Sequence, residues 1–185
     1  MGTSCWAHIS TAIDWIRGVN PRSVLDVGVG FGKWGFLCRE YLDVFNGRHF
    51  KKDWKIRIVG MEGFEKYLHP ASRYVYDDMV IGDALEKIEK DGEFDLVILG
   101  DILEHFTSAK ADFMMKQAVV RSRAVLIVTP ATRWPQGAVH GNEYERHRTV
   151  VKHRHVRRMF HVVKYAQFDY NGDEYWMGLL QGDRK

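Results

Sequence analysis

Residues 100–106, with the sequence GDILEHF, place two carboxylates and one imidazole within five positions. Glu104 and His105 follow Asp101 by three and four residues, so a helical turn there would point all three side chains at one place. Carboxylates with an imidazole suit Mg²⁺ or Mn²⁺, and such an ion lowers the proton affinity of a bound hydroxyl. We therefore predict a metal site or an acceptor-side site formed by Asp101, Glu104 and His105.

A second group of such side chains occurs in residues 140–149, HGNEYERHRT. Of its residues His140, Glu143 and His147, we choose His147 as the fourth metal ligand and as a catalytic residue beside Glu104 and His105. An alternative without metal remains open. In that case Glu104 braces the loop, and His105 contacts the substrate as a base or as a hydrogen-bond partner.

Three alternating glycines follow a short apolar run in VLDVGVGFGKWG, residues 24–35. Gly28, Gly30 and Gly32 would let the chain turn sharply into a helix and would leave backbone amides open to a ligand. A dinucleotide is one candidate, because the spacing G-x-G-x-x-G is also satisfied in a shifted frame. Asp26 instead favours a positively charged ligand, since a carboxylate so near the loop would repel a pyrophosphate and attract a cation.

Two further acids come at the ends of apolar runs. Glu62, in IVGMEGF, is placed to accept hydrogen bonds from both hydroxyls of a ribose. Asp83, in VIGDAL, is placed to accept a proton of an adenine amino group. Taken singly, each acid could instead cap a helix, but acids at three successive strand ends favour a nucleoside site.

These residues need a parallel sheet to bring them together. Short Val/Ile/Leu runs predict buried strands at 23–27, 55–61, 79–82, 94–100 and 124–129. Helical periodicity predicts helices at 7–17, 33–45, 70–76, 84–90 and 108–122, the last of these behind a Ser108 N-cap. Residues 46–53 are polar and predict a surface excursion. The alternation predicts an α/β fold with right-handed crossovers.

The C-terminal part departs from this alternation. Residues 161–182 predict two long antiparallel strands that turn at Asn171 and Gly172. With 185 residues, 45% of them hydrophobic, the chain is expected to form a single domain, 1–185, with an N-terminal helix within 1–20 and this hairpin at the other end.

Together these motifs resemble the S-adenosylmethionine-dependent methyltransferases of the Rossmann-like class, and the resemblance covers nearly the whole chain. It implies a seven-stranded, mostly parallel sheet with an antiparallel last strand, helices on both faces, and the cofactor S-adenosyl-L-methionine across the ends of the first four strands. The cofactor-binding residues it implies are Asp26, Gly28, Gly30, Gly32, Glu62, Gly63, Asp83, Ala84, Asp101 and Ile102. The sequence GMEGF departs from the usual pattern, in which a polar residue follows the acid.

The Glu-His pair also resembles two metal-using branches of that family, the small-RNA 3′-terminal 2′-O-methyltransferases and the ubiquinone-pathway O-methyltransferases. In this chain Asp101 replaces the Glu more usual at the first position. The resemblance implies methylation of a hydroxyl, with Mg or Mn as a possible aid. Two alternatives are a metal-free N- or O-methyltransferase of a small metabolite and a non-catalytic nucleotide-binding subunit of the same fold.

The charge distribution gives limited information about binding partners. The net charge is only +3, but residues 146–158, from Arg146 to Arg158, are strongly basic. They predict either an amphipathic helix with a solvated face or a surface for an anionic acceptor, small molecule or nucleic acid. Trp134 would stack on substrate or fold its loop onto the sheet. Cys5 and Cys38 lack metal or redox spacing, and no segment indicates membrane insertion, so we expect reduced thiols in a cytoplasmic protein. No oligomeric state is indicated.

Overall fold

The computed structural model describes residues 5–89 and 92–184. Seven strands form one sheet in the order β3-β2-β1-β4-β5-β7-β6. Their bounds are β1 Ser23–Val27, β2 Arg57–Glu62, β3 Asp78–Ile81, β4 Phe94–Gly100, β5 Ser122–Pro130, β6 Val162–Tyr170 and β7 Asp173–Gln181. Only β7 runs antiparallel to its neighbours β5 and β6. The predicted fold class is thereby confirmed, including the antiparallel last strand.

The helices lie between these strands as the periodicity predicted. Their bounds are α1 Ile9–Val19, α2 Lys33–Cys38, α3 Pro70–Val75, α4 Ala84–Lys87, α5 Ser108–Arg121 and α6 His153–Met159. Buried residues of α1, α2 and α3 pack on one face of the sheet. Buried residues of α5 and α6 pack on the other, together with the partly buried Ala84 and Leu85 of α4. Side chains of β4 alternate between the two faces. Leu96 and Ile98 pack on the side of α1, α2 and α3, and Val97 and Leu99 pack on the side of α4, α5 and α6.

Several predicted bounds differ from the structure. The helix predicted at 33–45 is α2 followed by a π-helical turn, Arg39–Asp43, and a 3₁₀ turn, Val44–Asn46. The predicted excursion contains another 3₁₀ turn, Lys51–Asp53. The N-cap of α5 is Thr107, not Ser108, and its side chain makes no capping hydrogen bond. The end predicted for the helix at 84–90 lies outside the described residues.

The basic segment is helical over only half of its length. Residues 146–152 form an extended loop, and α6 begins at His153. The amphipathic pattern is present within α6, because Val156 is buried while Arg154, Arg157 and Arg158 are exposed. Among the described helices, none combines the length and apolar character needed to cross a membrane.

Candidate active site

A cavity of about 700 Å³ opens at the carboxyl edge of the parallel strands, a volume typical of small-molecule sites. Of the residues predicted for the site, those that line it are Gly28, Gly30, Glu62, Gly63, Asp83, Ala84, Asp101, Ile102, Glu104, His105 and His147. Asp26 and Gly32 are not part of its wall. The cavity is therefore one space that reaches from the loop after β1 to the loops after β4 and β5.

The loop after β1 brings glycine backbone to this cavity, but its amides are not open to a ligand as predicted, because those of Gly28, Gly30 and Gly32 all donate hydrogen bonds within the protein. Gly28 has φ +84°, and a Cβ built on it would lie 2.8 Å from Cδ1 of Ile102, so a side chain there would collide with the loop after β4. Gly30, at φ +54°, directs its amide to the Glu62 carboxylate. Gly32 is the left-handed N-cap residue of α2, which gives it a role in the turn and not in the cavity wall.

Glu62 joins two loops at the end of β2. Its carboxylate accepts hydrogen bonds from the amides of Gly30 and Phe64, both at 2.8 Å. Burial raises the pKa of Glu62, while these two amides act in the opposite direction. A carboxylate has further lone pairs, so Glu62 can still accept hydrogen bonds from the two hydroxyls of a diol on the cavity side.

Asp26 differs from the prediction. It is 1% exposed, and the hydroxyl of Tyr76 donates to its carboxylate. The same hydroxyl accepts the amide of Gly35 at 3.1 Å, which ties α2 to the end of α3. Burial raises the pKa of Asp26 to about 7. Asp26 therefore does not line the cavity. Its hydrogen bond with Tyr76 instead links the end of β1 to the end of α3, below the glycine loop.

Asp83 shows both of the roles weighed for it. Its side chain accepts the amide of Leu85 at 2.8 Å and so caps α4, which is the ordinary role of an acid at this position. Asp83, Ala84 and Leu85 also line the cavity. Capping thus uses one oxygen and leaves the carboxylate at the cavity wall.

At the end of β4, Asp101 pairs with Lys33, which the sequence analysis did not single out. The Asp101 carboxylate lies 3.6 Å from the Lys33 ammonium, and the two side chains are 10% and 20% exposed. Lys33 also donates to the carbonyl of Cys5 at 3.3 Å. Asp101 has φ +55°, a backbone conformation uncommon for a residue other than glycine and enriched at functional sites. The position of Lys33 could have indicated it as a site residue, because Lys33 is the first residue of the helix that follows the glycine loop.

Glu104, His105 and His147 converge on the other side of the cavity. One potential ligand atom from each lies within 4.8 Å of the others. Asp101, the fourth predicted ligand, is not part of this group and faces Lys33 instead. Nδ1 of His147 donates to the carbonyl of Trp134 at 2.6 Å, which leaves Nε2 as the basic nitrogen.

Burial disfavours the charged forms of these three groups. It raises the pKa of Glu104 well above its usual value, and nearby Asp101 adds to this effect. Burial, with a smaller contribution from the neighbouring His147, lowers the pKa of His105 to about 4. The pKa of His147 is lowered by burial too. Thr129 donates to Glu104 at 3.2 Å, so this acid is bonded within the protein as well as facing the cavity.

Aromatic residues form the outer wall on this side. Trp134, Tyr170 and Tyr175 line the cavity, and the Tyr175 ring is perpendicular to the other two, with ring centroids 6.1 Å from Trp134 and 6.2 Å from Tyr170. The two tyrosines come from β6 and β7, so the C-terminal hairpin contributes to the site. The alternation of the hairpin predicted strands but did not indicate which of their residues reach the cavity.

Of the arginines and lysines in the basic segment, Arg148 alone lines the cavity, and Lys110 of α5 lines it too. Arg146 instead forms a two-pronged ion pair with Glu143, with both distances at 3.0 Å. His140, weighed with His147, does not line the cavity.

Comparisons with known proteins agree in fold but not in sequence. No protein-family model matches the chain, and no curated protein sequence matches it. Solved structures do match it. The methyltransferase domain of bacterial CtHen1 is 14% identical with a TM-score of 0.61, over 95% of this chain and 97% of that one.

Two further structures show the same likeness. Magnesium protoporphyrin IX methyltransferase from Synechocystis PCC 6803, solved with bound SAH, is 14% identical with a TM-score of 0.61, over 95% of this chain and 82% of that one. A SAM-dependent methyltransferase from Archaeoglobus fulgidus is 15% identical with a TM-score of 0.61, over 94% of each chain.

The fold is that of S-adenosylmethionine-dependent methyltransferases. At these identities the likeness concerns the fold, and the function must be argued from the residues of the site.

Proposed function

We propose that this chain is an S-adenosylmethionine-dependent methyltransferase that methylates a hydroxyl group. The observation that carries this proposal is the single cavity that joins Glu62 at the end of β2 to the group of Glu104, His105 and His147 beyond β4. One end offers a carboxylate that can accept hydrogen bonds from a ribose diol, and the other offers two imidazoles that can accept a proton. A methyl donor and its acceptor need both ends in one space.

The cofactor would lie along the strand ends. Glu62 accepts the ribose hydroxyls, and Asp83 and Ala84 border the adenine. Gly28 and Gly30 let the backbone approach the ligand, with Gly63 beside the ribose and Ile102 beneath the sulfur-bearing chain. Solved structures of this fold include one with SAH and one with SAM bound, which supports the choice of this cofactor.

Lys33 and Asp101 suit the amino-acid end of such a cofactor. A free amino acid carries an ammonium and a carboxylate, which complement the charges of Asp101 and Lys33 respectively. The two side chains are 3.6 Å apart and largely shielded from water, so each can also contact a ligand charge. The carbonyl of Cys5 adds an acceptor next to Lys33. We therefore add Lys33 to the proposed cofactor-binding residues.

The chemistry asked of the remaining residues is positioning and proton removal. Methyl transfer from a sulfonium is an in-line displacement with a good leaving group, so holding the reactants in line and excluding water are the main needs. A hydroxyl acceptor must also lose its proton. His105 is neutral at neutral pH because burial lowers its pKa to about 4, so its lone pair is available to the acceptor.

The donor set also fits a divalent metal ion. Nε2 of His147 is directed by the bond from Nδ1 to a backbone carbonyl, the usual support of a metal-binding histidine. Glu104, His105 and His147 would hold the ion, and two imidazoles favour Mn²⁺ over Mg²⁺. When bound, the ion would lower the proton affinity of an acceptor hydroxyl.

A metal-free reaction is the second candidate, and the contacts of Glu104 favour it. Its carboxylate accepts from Thr129, and its carbonyl accepts the amides of Arg148 and Thr149 at 2.8 and 3.2 Å. A buried, protonated Glu104 would then brace the loop while His105 serves the acceptor. Removal of divalent ions with a chelator separates the two. Activity that Mn²⁺ restores supports the metal, and unchanged activity supports the metal-free reaction.

For the acceptor we keep two classes, a small molecule and a nucleic acid. Lys110 and Arg148 at the cavity suit an anionic group of either class. The exposed arginines of α6 would matter only for a large acceptor, for which binding would weaken steeply with added salt.

Calorimetric titration with S-adenosylhomocysteine tests the proposal, with NAD as the rival ligand. We expect heat of binding with S-adenosylhomocysteine and none with NAD. Binding of NAD alone would support the interpretation of the glycine loop as a dinucleotide site. Absence of binding by both S-adenosylhomocysteine and NAD would contradict the proposal.

A further inference from the structure

The loop after β5 crosses the cavity as a strap, which we define as residues 136–148. Seven of its residues line the cavity, namely Gln136, Asn142, Glu143, Tyr144, Glu145, His147 and Arg148. The strap therefore borders both the Glu62 side and the Glu104 side of one space.

At the cofactor side, the strap rests on Gly63 through Tyr144. A Cβ built on Gly63 would lie 3.1 to 3.3 Å from three carbons of the Tyr144 ring. Gly63 directly follows Glu62, so the ring covers the backbone beside the proposed ribose acid. Tyr144 is 47% exposed, which places it at the mouth of the cavity.

At the acceptor side, the strap carries His147. The rings of His147 and His105 meet edge to face with centroids 4.9 Å apart. The next amide, of Arg148, donates to the carbonyl of Glu104 at 2.8 Å. Tyr144 at the cofactor end and His147 at the acceptor end are thus only three positions apart in the chain.

Gln136 clamps the strap between these two points. Its side-chain amide donates to the carbonyl of Glu145 at 2.7 Å and to the carboxylate of the same residue at 3.1 Å. Its own carbonyl accepts the amide of His147 at 3.0 Å. Asn142 caps the 3₁₀ turn Glu143–Glu145 by accepting the amide of Tyr144 at 3.0 Å. With these bonds in place, a shift of Tyr144 must move His147 too.

We propose that Tyr144 and Gln136 are positioning residues that couple the two ends of the site, an inference that rests on the function proposed above. A nucleoside beside Glu62 holds the Tyr144 ring against Gly63. Through the turn clamped by Gln136, this contact sets His147 beside His105. A bound cofactor then stabilises the acceptor side in this arrangement, and the cofactor product leaves after the strap lifts.

The test measures the reactivity of His147 with diethyl pyrocarbonate at pH 7, with and without adenosine. Adenosine lacks the sulfur-bearing chain, so it fills the part of the cavity beside Glu62 and does not shield His147 directly. Mass spectrometry after digestion with a protease other than trypsin reports the site, since trypsin would cut on both sides of His147. Calorimetry reports adenosine and S-adenosylhomocysteine binding in each variant.

In the unmodified protein we expect saturating adenosine to slow the modification of His147 at least threefold. Gln136→Ala should bind adenosine within threefold of normal but lose this effect. Gln117→Ala removes a glutamine whose side-chain amide donates to the exposed Glu89, away from the cavity, and it should keep the effect. Tyr144→Ala should lose the effect and Tyr144→Phe should keep it, a pair that preserves the test if Gln136→Ala fails to fold.

Adenosine that binds without changing His147 reactivity would overturn the coupling, as would an undiminished effect in Gln136→Ala. A protein that binds S-adenosylhomocysteine but not adenosine would overturn it too, while leaving the proposed function in place. Failure to bind either ligand would overturn both.

Discussion

The hydroxyl of Tyr76 donates to the carboxylate of Asp26, fifty residues away, in the interior beneath the glycine loop. Asp26 was predicted to contact the cofactor, and the structure gives it a structural partner instead. Its pKa of about 7, raised by burial and lowered in part by Tyr76, makes this bond sensitive to pH.

Replacement of this tyrosine should therefore destabilise the protein in a pH-dependent way. In Tyr76→Phe, we expect the free energy of unfolding to fall by about 1–3 kcal/mol, because Asp26 loses a buried donor. The pKa of Asp26 is raised above its value of 3.8 in an unfolded chain, so the side chain ionises near pH 7, and the loss should be larger at pH 8 than at pH 6. Urea denaturation at both pH values measures it. Tyr41→Phe is the control, and equal losses at the two pH values would contradict the assignment.

His8 should make the protein sensitive to acid. Its side chain has no exposed surface, and neither ring nitrogen has a hydrogen-bond partner among the described residues. Burial lowers its pKa to about 3, so between pH 6.5 and 3 the unfolded chain binds more protons and stability falls as pH falls. The slope is about 1.4 kcal/mol per pH unit.

In His8→Phe this contribution is absent. Relative to the unmodified protein, we expect the variant to gain about 2 kcal/mol between pH 7 and pH 5, while the exposed His49→Phe gains nothing. Chemical denaturation at the two pH values provides the comparison. A constant difference between His8→Phe and the unmodified protein would show that His8 has the same pKa in the folded and unfolded chain, which would contradict the prediction.

Glu62 should control cofactor affinity. We expect Glu62→Gln to weaken S-adenosylhomocysteine binding about 10–100-fold, because hydrogen bonds to a charged group contribute more than those to a neutral amide. Glu65→Gln, which removes a nearby carboxylate paired only with exposed Arg73, should bind as the unmodified protein does. Calorimetry on both variants, with melting temperature as a check on folding, decides the matter. Equal affinities would remove Glu62 from the site.

Lys33 should matter only for ligands with an amino-acid end. In Lys33→Met, S-adenosylhomocysteine should bind about 10-fold more weakly because an ion pair to its carboxylate is lost. Methylthioadenosine, which has no amino-acid end, should bind as before. The exposed Lys52→Met is the matched control, and a similar loss for both ligands would indicate a general disturbance of the cavity.

The alternation of buried runs was enough to predict the sheet, because parallel strands covered on both faces are apolar throughout. Strands Ser23–Val27 and Phe94–Gly100 have the bounds that their sequences predicted. The acids at strand ends also lie where a parallel sheet must put them. Glu62 and Asp83 reach the cavity for this reason.

Contacts between distant segments were not accessible to the same reasoning. The pairing of Asp26 with Tyr76, and of Asp101 with Lys33, depends on how loops pack after the sheet has formed. His147 was chosen by residue type, and its position beside His105 depends on the Gln136 clamp. An amphipathic helix was one prediction for residues 146–158, because Val156, Met159 and Phe160 give the segment an apolar edge. The hydrogen bonds from the amides of Arg148 and Thr149 to the carbonyl of Glu104 hold its first part extended instead.

A crystal structure grown with S-adenosylhomocysteine tests the central claim most directly. We predict density for the nucleoside in the cavity, with both ribose hydroxyls within hydrogen-bonding distance of the Glu62 carboxylate and the adenine beside Asp83 and Ala84. A ligand bound elsewhere, or a Glu62 carboxylate turned away from it, would contradict the claim.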